Sequence, residues 1–327
     1  MSTTTGNQQA PNSSSSLRGV VAHHPVTSFL IMAFVLGWGG MLPLLLSENG
    51  PVTVVPIELP WMPFAAILST FGLALPAFLV TAATDGKEGV RELLGRILRW
   101  RVGVHWYLIA LFGLLLATLL GAIPFFGLAP LEELAQKWEL LFTLYLWGGL
   151  WGILVPFVLV NLWEETGWTG FMQHTLQERH GPLLASLIVA PFFALIHFPA
   201  LFVSGWLGDK DPSLGDFPSA LFQMVITAVF AIFIRVLIMW LYNGSGRSVL
   251  IVALFHSAFN ATSGSENITP ILIPGSAASL IPIAAVAVIA VVLVVFTRGR
   301  LAYEPERGAA GLQAAEAGGA AAQPRAQ

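Results

Sequence analysis

Five ionisable side chains sit well inside apolar runs of this chain: Glu164, Glu165, His197, Arg235 and His256. Within a membrane such groups are costly and usually face an interior cavity, so each is a candidate for function. Carboxylates and imidazoles are the side chains that most readily move protons in catalysis. The two glutamates stand in Trp163-Glu164-Glu165-Thr166-Gly167-Trp168-Thr169-Gly170-Phe171. Helix neighbours point about 100° apart, so the pair cannot face one reacting atom. One can enter a cavity while the other bonds a neighbouring helix; a hydrated helix end would explain the pair as well. His197 follows Phe193 by one turn, so the ring can pack on the imidazole, and Pro199 just beyond is expected to kink the segment. His256 precedes Asn260 by one turn on the same face, and an amide N–H can meet an oxyanion without carrying charge. Taken singly, each histidine also reads as an interhelical hydrogen bond. Arg235 reads first as a side chain reaching for the inner surface.

Together, a carboxylate, two imidazoles and an amide from three segments make a set able to hydrolyse a peptide bond. Serines lie mostly in tails and loops, and neither Gly-x-Ser-x-Gly nor His-Glu-x-x-His occurs. No aspartate falls within an apolar segment, and the chain has 0 cysteines, which removes thiolate nucleophiles and Cys-held zinc. One carboxylate and two histidines also match the first shell of a catalytic zinc with an open water position. No cofactor is expected, with zinc as the alternative.

The elements that must position these groups follow from composition. Of 327 residues, 56% are hydrophobic and 10% charged, with 22 Phe and 11 Trp. Mean hydropathy is +0.76. Soluble domains carry roughly 25% charged residues, so this chain lacks the polar surface to coat a globule in water. An all-α, polytopic membrane protein is expected, which excludes an ordinary cytoplasmic enzyme and a disordered chain. A net charge of -3 offers no global basic field for nucleic acid. Eight apolar segments are expected to span, near 26–47, 61–84, 104–128, 140–170, 182–204, 217–242, 248–264 and 276–297. Residues 1–20 and the Ala/Gly-rich stretch 304–327 read as disordered tails around a domain at 21–303.

The connecting loops sort by charge. One side holds Arg18, Lys87, Arg91, Arg96, Arg99, Arg101, Arg179, Arg247, Arg298 and Arg300, the other only Lys137 and Lys210. Basic loops stay cytoplasmic, so both termini are expected inside, in a plasma membrane, most simply a bacterial one. Asp85 to Arg101 carries Val90, Leu93, Leu94, Ile97 and Leu98 on one helical face and reads as an amphipathic helix on the inner leaflet.

The ordered motifs Glu-Glu-x-Gly-Trp-x-Gly-Phe, Phe-x-x-x-His and His-x-x-x-Asn resemble the CPBP intramembrane proteases. That family comprises type II CAAX prenyl endopeptidases and bacteriocin-processing or immunity proteins. The resemblance covers about 91–260, including the juxtamembrane Leu94-Gly95-Arg96-Ile97-Leu98-Arg99-Trp100-Arg101 run. It implies an endopeptidase acting on a membrane-associated protein or peptide among membrane lipid, with a site opening toward the cytoplasm. Glu164 takes the place of the catalytic glutamate, Glu165 its neighbour, and His197, His256 and Asn260 the remaining site positions. On that reading Glu164, with His197, activates water, and His256 with Asn260 holds the oxyanion. The family's arginine is replaced by Thr169, which leaves room for a non-catalytic immunity or scaffold protein. Arg235 is a conceivable substitute for the missing charge. Proton-coupled transport would use the same residue types, but the chain shows no internal repeat to support it.

Overall fold

The computed structural model describes residues 17–203, 215, 217–264 and 267–305. Both outermost tails, the loop residues Asp209, Lys210, Asp211 and Asp216, and Glu266 lie outside the described residues. The chain is an all-helical membrane protein, with no strand among the described residues. Helices α1 (Leu17–His23) and α2 (Pro25–Leu45) come first, so helix begins within the stretch read as an N-terminal tail. Helix α3 covers Pro63–Thr84, α4 Gly86–Ile97, α5 Val104–Phe126 and the short α6 Ala129–Gln136. After a broken stretch, α7 runs over 154–180, then α8 over Pro182–Ile196, with a tighter turn at Phe198–Phe202. Helix α9 spans Phe217–Gly244, α10 Val249–Ser263, α11 Thr269–Leu272 and α12 Ala277–Thr297.

Among the described residues, six helical stretches are long and apolar enough to cross a membrane: α2, α3, α5, Pro182–Phe202, α9 and α12. The shorter α10 occupies the expected seventh position. The expected continuous fourth span, 140–170, is corrected. It breaks around Gly148, Gly149 and Gly152, with Gly149 at φ 59, before the chain re-enters a helix at Leu154. Glycine adopts that left-handed backbone at no steric cost, and an apolar count does not register it. The helix containing the glutamates therefore starts later and ends later than its hydropathy suggests. It stops at Gly181, whose φ is 76, and Pro182 opens α8 directly.

Close packing brings three helices together at the centre. A Cβ on Gly72 of α3 would lie 2.6 Å from the Gly37 Cα of α2, and one on Gly167 of α7 would lie 3.0 Å from the Leu73 carbonyl oxygen. Small residues permit such approach where lipid offers no hydrophobic drive. In α4, Leu93 and Ile97 are buried against the bundle while Leu94 and Leu98 are exposed. Thus one edge of its apolar face docks on protein and the other is left for lipid.

At one end of the bundle the first helix, the connections and the stretch after the last helix are tied to one another. Arg18 Nε donates to the Ala83 carbonyl at 3.3 Å, and Arg96 Nη1 meets His174 Nε2 at 2.8 Å. Arg99 donates to the Gly246 carbonyl at 2.6 Å, Asn243 to that of Leu301 at 3.1 Å, and Tyr303 to Glu178 at 3.0 Å. This is the end that carries the ten basic loop residues named above. At the opposite end, the Tyr145 hydroxyl joins Thr262 at 3.0 Å, and Asn267 bonds the Trp151 carbonyl.

Candidate active site

Helix α7 supplies a carboxylate on each of two sides. Glu164 faces a cavity of about 360 Å³ that is also lined by His197, His256, Asn260 and Asn161. Glu165, one position on, turns away into a fully buried layer. The 100° offset between neighbours separates the two roles.

His197 caps the C-terminal end of α8. Its Nδ1 lies 2.8 Å from the Phe193 carbonyl, one of the acceptors a helix end leaves unpaired. A carbonyl only accepts, so the proton sits on Nδ1 and a neutral ring presents a lone pair at Nε2. That atom lies 3.5 Å from Glu164 Oε1. Two acceptors facing one another need a donor between them. Glu164 Oε1 itself finds no hydrogen-bond partner among the described residues.

In the layer beneath, Arg235 Nη1 lies 3.0 Å from both Glu165 oxygens. Its Nη2 donates to Thr169 Oγ1 at 2.7 Å, and its Nε to Gln173 Oε1 at 3.0 Å. Thr169 Oγ1 donates to Glu165 Oε2. Glu165 Oε1 also accepts from His256 Nδ1 at 2.9 Å, which leaves His256 Nε2 as the ring atom available to the cavity. Phe193 stands between these groups: its ring lies 5.2 Å from the His197 ring, 5.8 Å from that of His256, and 5.3 Å from Arg235 Cζ. Carboxylate, imidazole and guanidinium are thus held in fixed order, Arg235 to Glu165 to His256.

Residues 146–262 match the Rce1-like family of type II CAAX prenyl endopeptidases. The stretch contains Glu164, Glu165, His197, Arg235, His256 and Asn260. Over that stretch the chain is similar to the Rce1-like family. Over 113 residues, 33% of this chain, the sequence is 26% identical to a Methanococcus maripaludis protein named CAAX prenyl protease 2. The match spans 38% of that relative's own length.

Of the sequence-expected residues, the fold brings Glu164, His197, His256 and Asn260 to one cavity and places Glu165 behind it. The expected reach of Arg235 to the inner surface is corrected: the side chain is 0% exposed and wholly engaged. It stands nine residues before the end of α9, roughly 13 Å of helix, too deep for its stem to reach headgroups. Thr169 therefore does have a guanidinium beside it, delivered from another helix. The kink expected at Pro199 is instead a helix end at Ile196 followed by the tighter turn.

Two participants went unread. Gln173 completes the Arg235 shell, and Asn161 lines the cavity while its Oδ1 accepts from Ser257 at 2.6 Å. Asn161, Glu165, Thr169 and Gln173 recur at every fourth position, a polar row along an apolar helix that would have marked them. Among the described residues, no group of three His, Asp or Glu side chains is spaced to hold one metal ion. With its Nδ1–H committed to Glu165, His256 is an oriented imidazole whose Nε2 stays free, an arrangement that suits an oxyanion donor and a metal ligand alike.

The mouth of the cavity lies toward one end of the bundle. Its rim and upper wall come from the C-terminal parts of α2 and α10 (Met41, Ser263), from Ala200 in the turn after α8, and from Leu150, Trp151 and Gly152 before α7. Those parts lie at the end opposite the basic connections.

Proposed function

We propose that this chain is an intramembrane endopeptidase that uses Glu164 to activate water against a peptide bond of a membrane-associated protein or peptide. The observation that carries the reading is the pair of acceptors, Glu164 Oε1 and His197 Nε2, facing each other at 3.5 Å on the cavity wall. A water donating one hydrogen to each would have its oxygen lone pair aimed into the cavity. Glu164 takes the proton as that oxygen bonds to the carbonyl carbon, and returns it to the leaving amide nitrogen as the C–N bond breaks. Asn260 can offer an amide N–H to the developing oxyanion. His256 can do so through Nε2 as the imidazolium, because Nδ1–H already belongs to Glu165. In that form the charges of Glu164, Glu165, Arg235 and His256 sum to zero. Glu165 and Arg235 serve as positioning residues, which separates the two glutamates into a base and a support. The relative's name suggests a prenylated substrate; the apolar cavity walls, with Met41, Leu68 and Leu73, suit an apolar segment without requiring a prenyl group.

The ten basic residues at one end support a plasma-membrane protein with that end and both termini in the cytoplasm. The test of activity is cleavage of a membrane-peptide library by purified full chain, beside Glu164→Gln, with and without chelator. Cleavage lost in the variant and indifferent to chelator supports the reading. Cleavage removed by chelator and restored by zinc overturns the metal-free mechanism. Absence of cleavage by the folded wild type would favour a scaffold.

A further inference from the structure

The geometry points to a cavity that admits its substrate from the extracytoplasmic side, so that the scissile segment is an outward-facing terminus or outer juxtamembrane stretch of a membrane protein or peptide. This rests on the protease reading for the word substrate, but the direction of access stands on separate observations.

Chain direction fixes which end of the bundle the cavity serves. Helices α2, α8 and α10 leave the basic end, and the cavity takes Met41 from the far part of α2, Ala200 from the turn beyond α8, and Ser263 from the end of α10 with Gly264 after it. Helices α3 and α7 run back toward the basic end, and each contributes its early part: Ala65 and Leu68, then Pro156 and Asn161. Glu164 lies ten residues from the start of α7 and sixteen from its end, about 15 Å against about 24 Å of helix. At the rim, Leu150 and Trp151 are 44% and 50% exposed.

The basic end is sealed. Below Glu164 come Glu165, Thr169, Gln173 and Arg235, all at 0% exposure, together with Trp168. Under these, Leu93 of the amphipathic helix α4 packs so closely that a Cβ on Gly170 would lie 3.2 Å from both its Cδ1 and Val249 Cγ2. A peptide approaching from the basic side would have to break the buried ion pair and displace α4. One approaching from the other side meets, among the described residues, an apolar-walled cavity. Since basic loops remain in the cytoplasm, the open side is the external one.

The absence of cysteine, 0 in the sequence, makes the test clean. Trp151→Cys at the rim, Glu58→Cys on the same end and Lys87→Cys at the basic end are each made in the full chain. All three are treated in spheroplasts with a membrane-impermeant maleimide. Labelling of Trp151→Cys and Glu58→Cys in intact spheroplasts, with Lys87→Cys labelled only after permeabilisation, is expected. The reverse pattern overturns the proposal, and so does labelling of Glu58→Cys from outside while Trp151→Cys is labelled only after permeabilisation. A second arm uses a membrane-tethered reporter displaying the same library-selected segment outside or inside the cell. Cleavage of the outside form alone, lost in Glu164→Gln, is expected; cleavage of the inside form alone overturns the inference. Outward labelling with neither reporter cleaved would leave the access route standing and count against the protease reading, so the two failures are separable.

Discussion

Replacing Arg235 with methionine keeps the length of the side chain and removes its charge. Glu165 then loses both 3.0 Å contacts from Nη1 and keeps Thr169 and His256, while Gln173 Oε1 loses its guanidinium donor. Because Glu165 and Arg235 are both 0% exposed, water cannot replace what is lost. Breaking a buried pair by deleting one partner costs about 3–5 kcal/mol, most of it the uncompensated charge left behind. Arg235→Met should therefore destabilise the protein by about that amount, read as a shift in reversible unfolding in mixed micelles. The double variant Arg235→Met/Glu165→Gln removes both charges and keeps an acceptor for His256 Nδ1–H. It should recover most of the loss, with a coupling of about 2 kcal/mol or more between the sites. Helix-to-helix hydrogen bonds in membranes average only about 0.6 kcal/mol, so an effect of that size would mean ordinary polar packing. A single variant costing under about 1 kcal/mol, or a double no more stable than the single, would refute the ion-pair argument.

Further outcomes follow from the same geometry. Asn260→Ala should lower turnover by about 10²–10³, the usual cost of one oxyanion donor, with little change in KM or in the unfolding midpoint. An effect confined to KM would move Asn260 from the oxyanion to substrate binding. Gly167→Ala should cost about 1–3 kcal/mol in the same unfolding assay, because the new Cβ meets Leu73 backbone atoms that cannot step aside. An unperturbed Gly167→Ala protein would show that α3 and α7 do not approach as described.

Much of the site was legible because its residues are chemically out of place. Glutamate, histidine and arginine within apolar helices cannot be solvated by lipid, so their presence alone predicts a protein interior. The i, i+4 spacings of Phe193 with His197 and of His256 with Asn260 hold within single helices, where local geometry governs. The 100° rule separated Glu164 from Glu165 in advance but could not say which faced the cavity. That choice belongs to the helices packed around α7. The break at Gly148–Gly152 escaped notice because hydropathy averages over backbone conformation. Arg235 was misread for a related reason: its partners lie 62 to 70 positions away in sequence.

The sequence by itself determined the membrane class, the polarity of the loops and the identity of the ionisable groups. Each depends on solvation of individual side chains, a property that residue type carries with it. Tertiary structure decided the order Arg235–Glu165–His256, the partnership of Glu164 with His197, and the end at which the cavity opens. Those depend on which buried groups can reach one another across helices, since a charge removed from water must find its partner wherever the packing places one.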